Sequence, residues 1–314
     1  MTLSSARHVV IGANAHTQLS EALHRARPDL EIRGNTYTAV TADDLQWGDT
    51  YFGFRRPPLA TMGNIRWVHC TGAGVDAWLF PHELPRDILL TRSTESFGPM
   101  IAEWALARAL AFSQQLLDLA QNQQRREWTP RDVAMLRGTT AIVVGTGDVG
   151  THVGRVFRSM GCDVLGVSRS GGGDESVFSS RFAVSSLATI AATADWLIVT
   201  LPLTSETRGL IGRAVLQACQ GAVLMNAGRG AVVQEALLPE ALAKGWLRGA
   251  ALDVFETEPL PVESPLWSDA RVVISPHISG ITTTDGAVSG FVECLSALER
   301  GERPRWIVDR DRQY

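Results

Sequence analysis

Lysine is almost absent from this 314-residue chain: of its 29 basic residues only Lys244 is a lysine, and the other 28 are arginines. The scarcity removes several chemistries. A G-x-x-x-x-G-K-[ST] phosphate loop is excluded, because no lysine follows a glycine loop. A Schiff-base mechanism would have to use Lys244, which sits in the amphipathic stretch 235–245 with no strand end beside it. Positive charge must come from arginine, whose planar fork suits carboxylate and phosphate. Cysteine is also scarce. Cys70, Cys162, Cys219 and Cys294 lie far apart without a C-x-x-C pair, which reads as buried thiols in a reducing compartment and predicts no metal site. No apolar run reaches the ~18 residues of a membrane span. The N-terminus enters a short strand at 9–12 without a signal-peptide core, so a cytoplasmic protein with no membrane partner is expected. The formal charge of −4 argues against general nucleic-acid binding.

What is present is ordinary for a globular protein, with 45% hydrophobic and 20% charged residues. At ~150 residues per domain the length suggests two domains. Apolar runs of strand length alternate with helical-period segments, the α/β pattern. Strands are expected near 9–11, 50–54, 66–69 and 88–91, with a helix at 19–27. One long amphipathic helix is expected from about Met100 to Gln124, after the breakers Gly98 and Pro99. A second alternating block begins at Thr139, with strands near 141–144, 163–167, 196–201, 222–226, 249–254 and 272–275. Six strands is the count of a doubly wound dinucleotide fold. The glycine-serine stretch 170–176 reads as a mobile surface loop, and a last helix is expected near 286–299.

Gly145-Thr-Gly147-Asp148-Val149-Gly150 fits G-x-G-x-x-G. The apolar strand before it and the helical spacing of Val149, Val153 and Val156 after it supply the context a bare match lacks. Gly145 permits the tight turn, Gly147 lets the backbone approach a pyrophosphate, and Gly150 lets helix and strand pack closely. The pyrophosphate would sit at the helix N-terminus. At the end of the next strand, where NAD-preferring sites place Asp or Glu, this chain has Ser168-Arg169-Ser170. An arginine with two hydroxyls holds a 2′-phosphate, so NADP(H) is the preferred cofactor, with NAD(H) as the lesser one.

Three later strand ends carry polar residues that packing does not require: Arg229 in N-A-G-R-G, Glu258 in D-V-F-E-T-E-P-L-P, and His277 in S-P-H-I-S-G. Ligands bind outside the carboxyl ends of such strands. These motifs in this order resemble the D-2-hydroxyacid dehydrogenase family, closest to its glyoxylate/hydroxypyruvate reductase branch. The resemblance includes G-A-G-V-D at 72–76 and A-D-W-L-I-V-T-L-P-L-T at 194–204. It implies two Rossmann/flavodoxin-like doubly wound parallel-sheet domains with a cleft between them. Residues 1–95 plus 286–314 would form the substrate domain, and 96–285 the dinucleotide-binding domain.

Reduction of a small 2-keto acid needs a cation for the carboxylate, a proton donor for the alkoxide and a hydride donor. Arg229 is the carboxylate partner and His277 the general acid. Glu258 is expected to hydrogen-bond His277, fixing its orientation and favouring its protonated form. By the family pattern, backbone N–H groups at Ala73 and Gly74 take the other side of the carboxylate. Arg55, just beyond a strand end, is a further substrate candidate. Asp253 is a candidate for the nicotinamide carboxamide and Leu201-Pro202 for the adenine pocket. Thr207, Ala227, Ser279 and Gly280 complete the candidate cofactor site. His69 reads as a buried, hydrogen-bonded histidine. The resemblance implies a homodimer, through the long helix. Two other readings are a dehydrogenase of phosphoglycerate type and a cofactor-sensing protein like the corepressors that share this fold. The chain stops soon after its last helix, and it has no basic surface run. Where the reductase branch often carries arginine after the histidine, this chain has Ile281-Thr-Thr-Thr284, which leaves the choice of keto acid open.

Overall fold

The strand β1 (His8–Gly12) is a near-continuous apolar run because both of its faces are covered. The computed structural model describes residues 7–94 and 97–314. The chain divides into two compact units, Met1–Ser96 with Thr282–Tyr314 and Phe97–Ile281. The first expected boundary, between 95 and 96, lies outside the described residues.

In the first unit β1 is followed by α1 (His16–Ala26), β2 (Glu31–Asn35), α2 (Ala42–Trp47), β3 (Thr50–Phe52), β4 (Trp67–Cys70), α3 (Asp76–Leu79) and β5 (Leu89–Arg92). All strands pair in parallel in the order β2-β1-β3-β4-β5, the flavodoxin-like arrangement. Alternate residues serve opposite layers, as the strand period of two demands. Val10, Tyr51 and Val68 join one core with Trp78 and Leu84, while Val9, Ile11, Phe52 and Trp67 join another with Leu19 and Leu23 of α1. β2 was not foreseen: its E-I-R-G-N is largely exposed and joins the edge through backbone pairing with β1.

The second unit opens with α4 (Phe97–Ser113) and α5 (Leu116–Arg125). The single long helix expected here is therefore two. Gln115 adopts a left-handed φ of 51°, and the amides of Gln114 and Gln115 donate to the carbonyls of Ala134 and Asp132. Then follow β6 (Thr140–Val144), α6 (Asp148–Ser159), β7 (Asp163–Ser168), β8 (Ser180–Ala183), α7 (Leu187–Ile190), β9 (Trp196–Val199), α8 (Arg213–Ala218), β10 (Ala222–Asn226), α9 (Leu238–Ala243), β11 (Leu247–Leu252) and β12 (Val272–Ile274). The sheet has seven parallel strands, not six, in the order β12-β11-β10-β9-β6-β7-β8. The added one, β8, is a short, half-buried edge strand, S-R-F-A, whose Phe182 packs on the core. The order reverses between β6 and β9, the switch point of a Rossmann sheet.

Register aligns the carboxyl ends. Val144, Val199, Asn226, Leu252 and Ile274 stand in one row across five strands. The next residues in each chain segment, Gly145, Thr200, Ala227, Asp253 and Ser275, therefore emerge along one edge. After Ile281 the chain returns to the first unit, where α10 (Thr284–Glu299) begins with Thr283 accepting from the Gly286 N–H. Its Phe291 stacks on Trp67 with ring centroids 4.7 Å apart. Among the described residues no helix is long and apolar enough to cross a membrane. Lys244 is spent on the surface, pairing with Glu240 at 2.7 Å.

Candidate active site

The glycine loop leaves β6 in a shape only glycine accommodates well. Gly145 has a φ of +111°, and a Cβ on Gly150 would lie 1.7 Å from the Gly145 carbonyl oxygen. Helix α6 can therefore start directly against the strand. Gly147 is its N-cap and no side chain caps it, so the first-turn amides of Asp148, Val149 and Gly150 have no side-chain acceptor there. A Cβ on Gly147 would meet nothing within 4 Å. Open space over an uncapped N-terminus fits the pyrophosphate of a dinucleotide.

Ser168 ends β7, and the glycine-serine loop after it is tied down rather than loose. The hydroxyls of Thr146 and Ser168 both donate to the Gly172 carbonyl, at 2.6 and 2.9 Å, and Arg155 pairs with Asp174 at 3.1 Å. Arg169 is half-exposed, with Nε 3.6 Å from the Glu206 carboxylate, and Ser170 follows it in the exposed part of the turn. Leu201 and Pro202 follow β9, where a Cβ on Gly228 would lie 2.5 Å from the Leu201 carbonyl oxygen. Thr207 braces the turn after Pro202, where its hydroxyl donates to the Pro202 carbonyl at 2.7 Å and accepts from the Thr204 N–H at 2.8 Å.

Arg229 is carried by the turn after β10. Asn226 at the strand end shapes that turn, accepting from the Gly228 N–H and donating to the Arg229 carbonyl, both at 3.1 Å. Ala227 beside it is buried. Glu258 lies in the loop after β11 and His277 beyond β12. His277 Nδ1 and Glu258 Oε2 are 2.8 Å apart, and the Phe255 N–H donates to the other Glu258 oxygen at 3.1 Å. Burial would raise the Glu258 carboxyl. The His277 hydrogen bond, the Phe255 amide and the charges of His277 and Arg229 outweigh it and hold the group below the usual glutamate range. The three residues singled out from sequence are thus electrostatically one group, and it is anchored on three adjacent strands.

Asp253 has a bracing role that the sequence did not announce. Its side chain is fully buried, and both oxygens are directed into the protein. Oδ1 accepts from the Ser275 hydroxyl at 2.6 Å and the Ile278 N–H at 3.0 Å, and Oδ2 from the Ser279 N–H at 2.8 Å. A carboxylate held by these three donors braces the 275–279 segment. Ser279 is buried in the same bracing, and Gly280 packs against Phe97 and Ile101 of α4. The Ser275 hydroxyl accepts in turn from the Trp104 indole at 3.0 Å. Neither Trp104 nor the use made of Ser275 was legible in the sequence, since the pair is separated by 171 positions.

In the first unit, Ala73 and Gly74 follow β4 in a partly exposed turn. Arg92 donates to the Ala73 carbonyl at 2.7 Å, and a Cβ on Gly72 would meet the Phe54 ring at 2.7 Å. Arg55 is exposed and lies over the Tyr37 ring at 5.5 Å. His69 is fully buried, with Nδ1 2.8 Å from the Thr91 hydroxyl and Nε2 3.0 Å from that of Ser93. Burial pushes it down to about 3, so it is a neutral core histidine. All four cysteines are buried free thiols.

Residues 106–279 match the family model for the D-isomer specific 2-hydroxyacid dehydrogenase, NAD binding domain. The chain is 35% identical over 264 residues to a glyoxylate/hydroxypyruvate reductase A from Serratia proteamaculans (strain 568), covering 81% of this chain and 84% of that protein. A D-isomer specific 2-hydroxyacid dehydrogenase from Xanthobacter autotrophicus Py2, solved in complex with NADPH and MES, superposes with a TM-score of 0.90 at 31% identity, over 99% of this chain and 100% of that one. An NADPH-dependent glyoxylate/hydroxypyruvate reductase from Sinorhizobium meliloti, in complex with NADP and sulfate, superposes with a TM-score of 0.87 at 26% identity, over 98% and 99% of the two chains.

Proposed function

The chain belongs to the D-isomer specific 2-hydroxyacid dehydrogenase family, and from that premise we propose that it reduces a small 2-keto acid such as glyoxylate or hydroxypyruvate to the D-2-hydroxy acid, with NADPH preferred over NADH. It is an NAD(P)-dependent oxidoreductase, and similar structures hold NADPH or NADP. The observation that carries the reading is the 2.8 Å pair of His277 and Glu258 at the carboxyl edge of the sheet, within electrostatic reach of Arg229.

A reduced nicotinamide supplies the hydride when bound. Arg229, always charged and forked, takes the substrate carboxylate and polarises the carbonyl. Glu258 only accepts, so His277 Nδ1–H donates to it and Nε2 holds the proton that moves to the developing alkoxide. In the reverse direction the same nitrogen is the base. Gly147 leaves room for the pyrophosphate. Arg169 with Ser168 and Ser170 takes the 2′-phosphate.

Turnover of glyoxylate, hydroxypyruvate, pyruvate and phenylpyruvate, each with both nucleotides, tests the reading. Reduction of the two smaller polar acids at higher kcat/KM than phenylpyruvate is expected. Failure to turn over any 2-keto acid with either nucleotide would overturn it.

We also assign the protein to the cytoplasm and to a homodimer. Four free thiols support a reducing compartment. For the dimer, Leu116, Leu117 and Leu119 of α5 and Trp128, Val133 and Met135 beyond it are exposed, Trp128 to 98%. Large apolar side chains left exposed within one short stretch of chain support an interaction surface there. Light scattering after size exclusion reads the mass directly, and a monomer at micromolar concentration would contradict the assignment.

A further inference from the structure

His277 has a φ of +55°, the left-handed region that a residue with a Cβ rarely adopts, and such a conformation persists only where its surroundings over-determine it. Most of the hydrogen bonds that restrain the backbone here run to Asp253. The His277 N–H donates to the Asp253 carbonyl at 2.8 Å and also approaches that of Ser275 at 3.1 Å. The next two amides, of Ile278 and Ser279, donate to the Asp253 carboxylate at 3.0 and 2.8 Å.

The orientation of Asp253 depends on what its fully buried side chain touches. Its third donor is the Ser275 hydroxyl at 2.6 Å, and that hydroxyl accepts from Trp104 Nε1 at 3.0 Å. The direction of this chain of hydrogen bonds is fixed throughout. An indole N–H only donates, a carboxylate only accepts, and a hydroxyl has one proton to give. Rotating the Ser275 hydroxyl away from Asp253 would leave a buried carboxylate short of a donor, and turning it from Trp104 would leave a buried indole N–H without its acceptor. Trp104 is itself held in place on α4, with the Arg108 guanidinium 4.7 Å over its ring, and the charges of Arg108 and Asp253 attract.

We propose that Trp104 and Ser275 are positioning residues for the reduction: acting through Asp253, they set the backbone geometry from which His277 presents its ring. The inference rests on the reading of His277 as proton donor, so the test carries His277→Gln alongside.

The test measures steady-state reduction of the preferred keto acid, and NADPH binding by nucleotide fluorescence, in Ser275→Ala, Ser275→Thr and Trp104→Phe. Misplacement of a reacting group by about 1 Å costs up to ~10²-fold. Ser275→Ala is therefore expected to lower kcat by roughly 10- to 100-fold, while the NADPH Kd and the keto-acid KM stay within about twofold. Ser275→Thr, which keeps the hydroxyl, should restore most of the rate. Trp104→Phe, which removes only the N–H, should lower kcat by a smaller factor and add little on top of Ser275→Ala. Wild-type kcat in Ser275→Ala overturns the inference, as does a loss that also weakens NADPH binding and is not rescued by threonine. Should Ser275→Ala fail to fold, Trp104→Phe decides, and wild-type turnover there overturns the inference. If His277→Gln is inactive while Ser275→Ala is not, only the positioning fails. A fully active His277→Gln enzyme overturns both readings.

Discussion

Glu258 keeps one carboxylate oxygen on His277 Nδ1 at 2.8 Å and the other on the Phe255 N–H at 3.1 Å, so it cannot turn from the imidazole without giving up a backbone donor. The arrangement makes the charge and the two acceptors of Glu258 separable from its size. Glutamine has one acceptor oxygen where glutamate has two. In Glu258→Gln that oxygen can serve either His277 or Phe255, and the amide N–H₂ then faces the other donor. We expect kcat to fall by about 10²-fold with NADPH affinity preserved. His277→Gln should lose ~10²–10⁴-fold, and the double variant should lose little more than His277→Gln, because residues acting as a unit are not additive. Steady-state kinetics of the three enzymes measures this, and additive losses would contradict a shared role.

Arg229 is aimed by a turn that Asn226 holds at both ends, so the guanidinium rather than its tether is the variable to change. Arg229→Lys retains the charge and loses the planar fork. The expected outcome is a rise in keto-acid KM of roughly 10-fold or more, with the NADPH Kd unchanged. An unaltered KM would show that a point charge suffices.

The Nε of Arg169 lies 3.6 Å from Glu206, a half-exposed pair that contributes little to stability but competes for the same guanidinium. Arg169→Asp replaces the phosphate partner by an acceptor suited to a ribose 2′-hydroxyl. The ratio of kcat/KM for NADPH over NADH should fall below one in that variant. Glu206→Gln should raise the ratio above the wild-type value. A wild-type ratio at or below one would remove the assignment of Arg169.

Much of the architecture was legible because it rests on composition. Runs such as 141–144 and 222–225 are apolar on both faces, as buried parallel strands must be, and the polar residues that follow them stand out. What escaped had no such signature. β2 is an exposed edge strand and β8 a four-residue one, neither with an apolar run to mark it, and both are held by backbone pairing that any residue offers. The break after Ser113 depends on Gln115 at positive φ, stabilised by carbonyls near 132–134 that sequence does not place beside it. The site divides in the same way. Arg229, Glu258 and His277 are marked by strand-end position, whereas the bracing role of Asp253 depends on pairing with Ser275, 22 positions away, and on that serine's pairing with Trp104.

His69 gives a stability prediction with a definite sign. Burial pushes it down to about 3 from the ordinary 6.5, so between those values the unfolded chain binds a proton that the native protein does not. Stability therefore falls as pH is lowered through this window, by up to about 1.4 kcal/mol per pH unit from this one group. Glutamine can still offer a donor and an acceptor to Thr91 and Ser93 but does not titrate. Urea unfolding of the wild type and His69→Gln at pH 7, 6, 5 and 4 should show curves that converge toward acid pH. A difference constant with pH would mean that the ring titrates alike in the native and unfolded states.

The second and third glycines of the loop allow binding to be separated from folding. At Gly150 a Cβ would lie 1.7 Å from the Gly145 carbonyl oxygen, a backbone atom that cannot rotate aside. Gly150→Ala must push α6 off β6, and overpacking of this kind costs about 1–3 kcal/mol or more. Gly147 has a φ of −76°, which alanine adopts freely, and its Cβ would meet no protein atom within 4 Å. Gly147→Ala should therefore keep the wild-type Tm. The added methyl instead occupies the space above the uncapped end of α6, so NADPH affinity should drop by roughly 10-fold or more, since one misplaced contact of 1.4 kcal/mol is already tenfold. Thermal melts with and without NADPH distinguish the two variants: Gly150→Ala should melt early in both conditions, and Gly147→Ala should differ from wild type only in the shift that NADPH produces. A wild-type NADPH shift in Gly147→Ala would mean that the dinucleotide does not cross this loop.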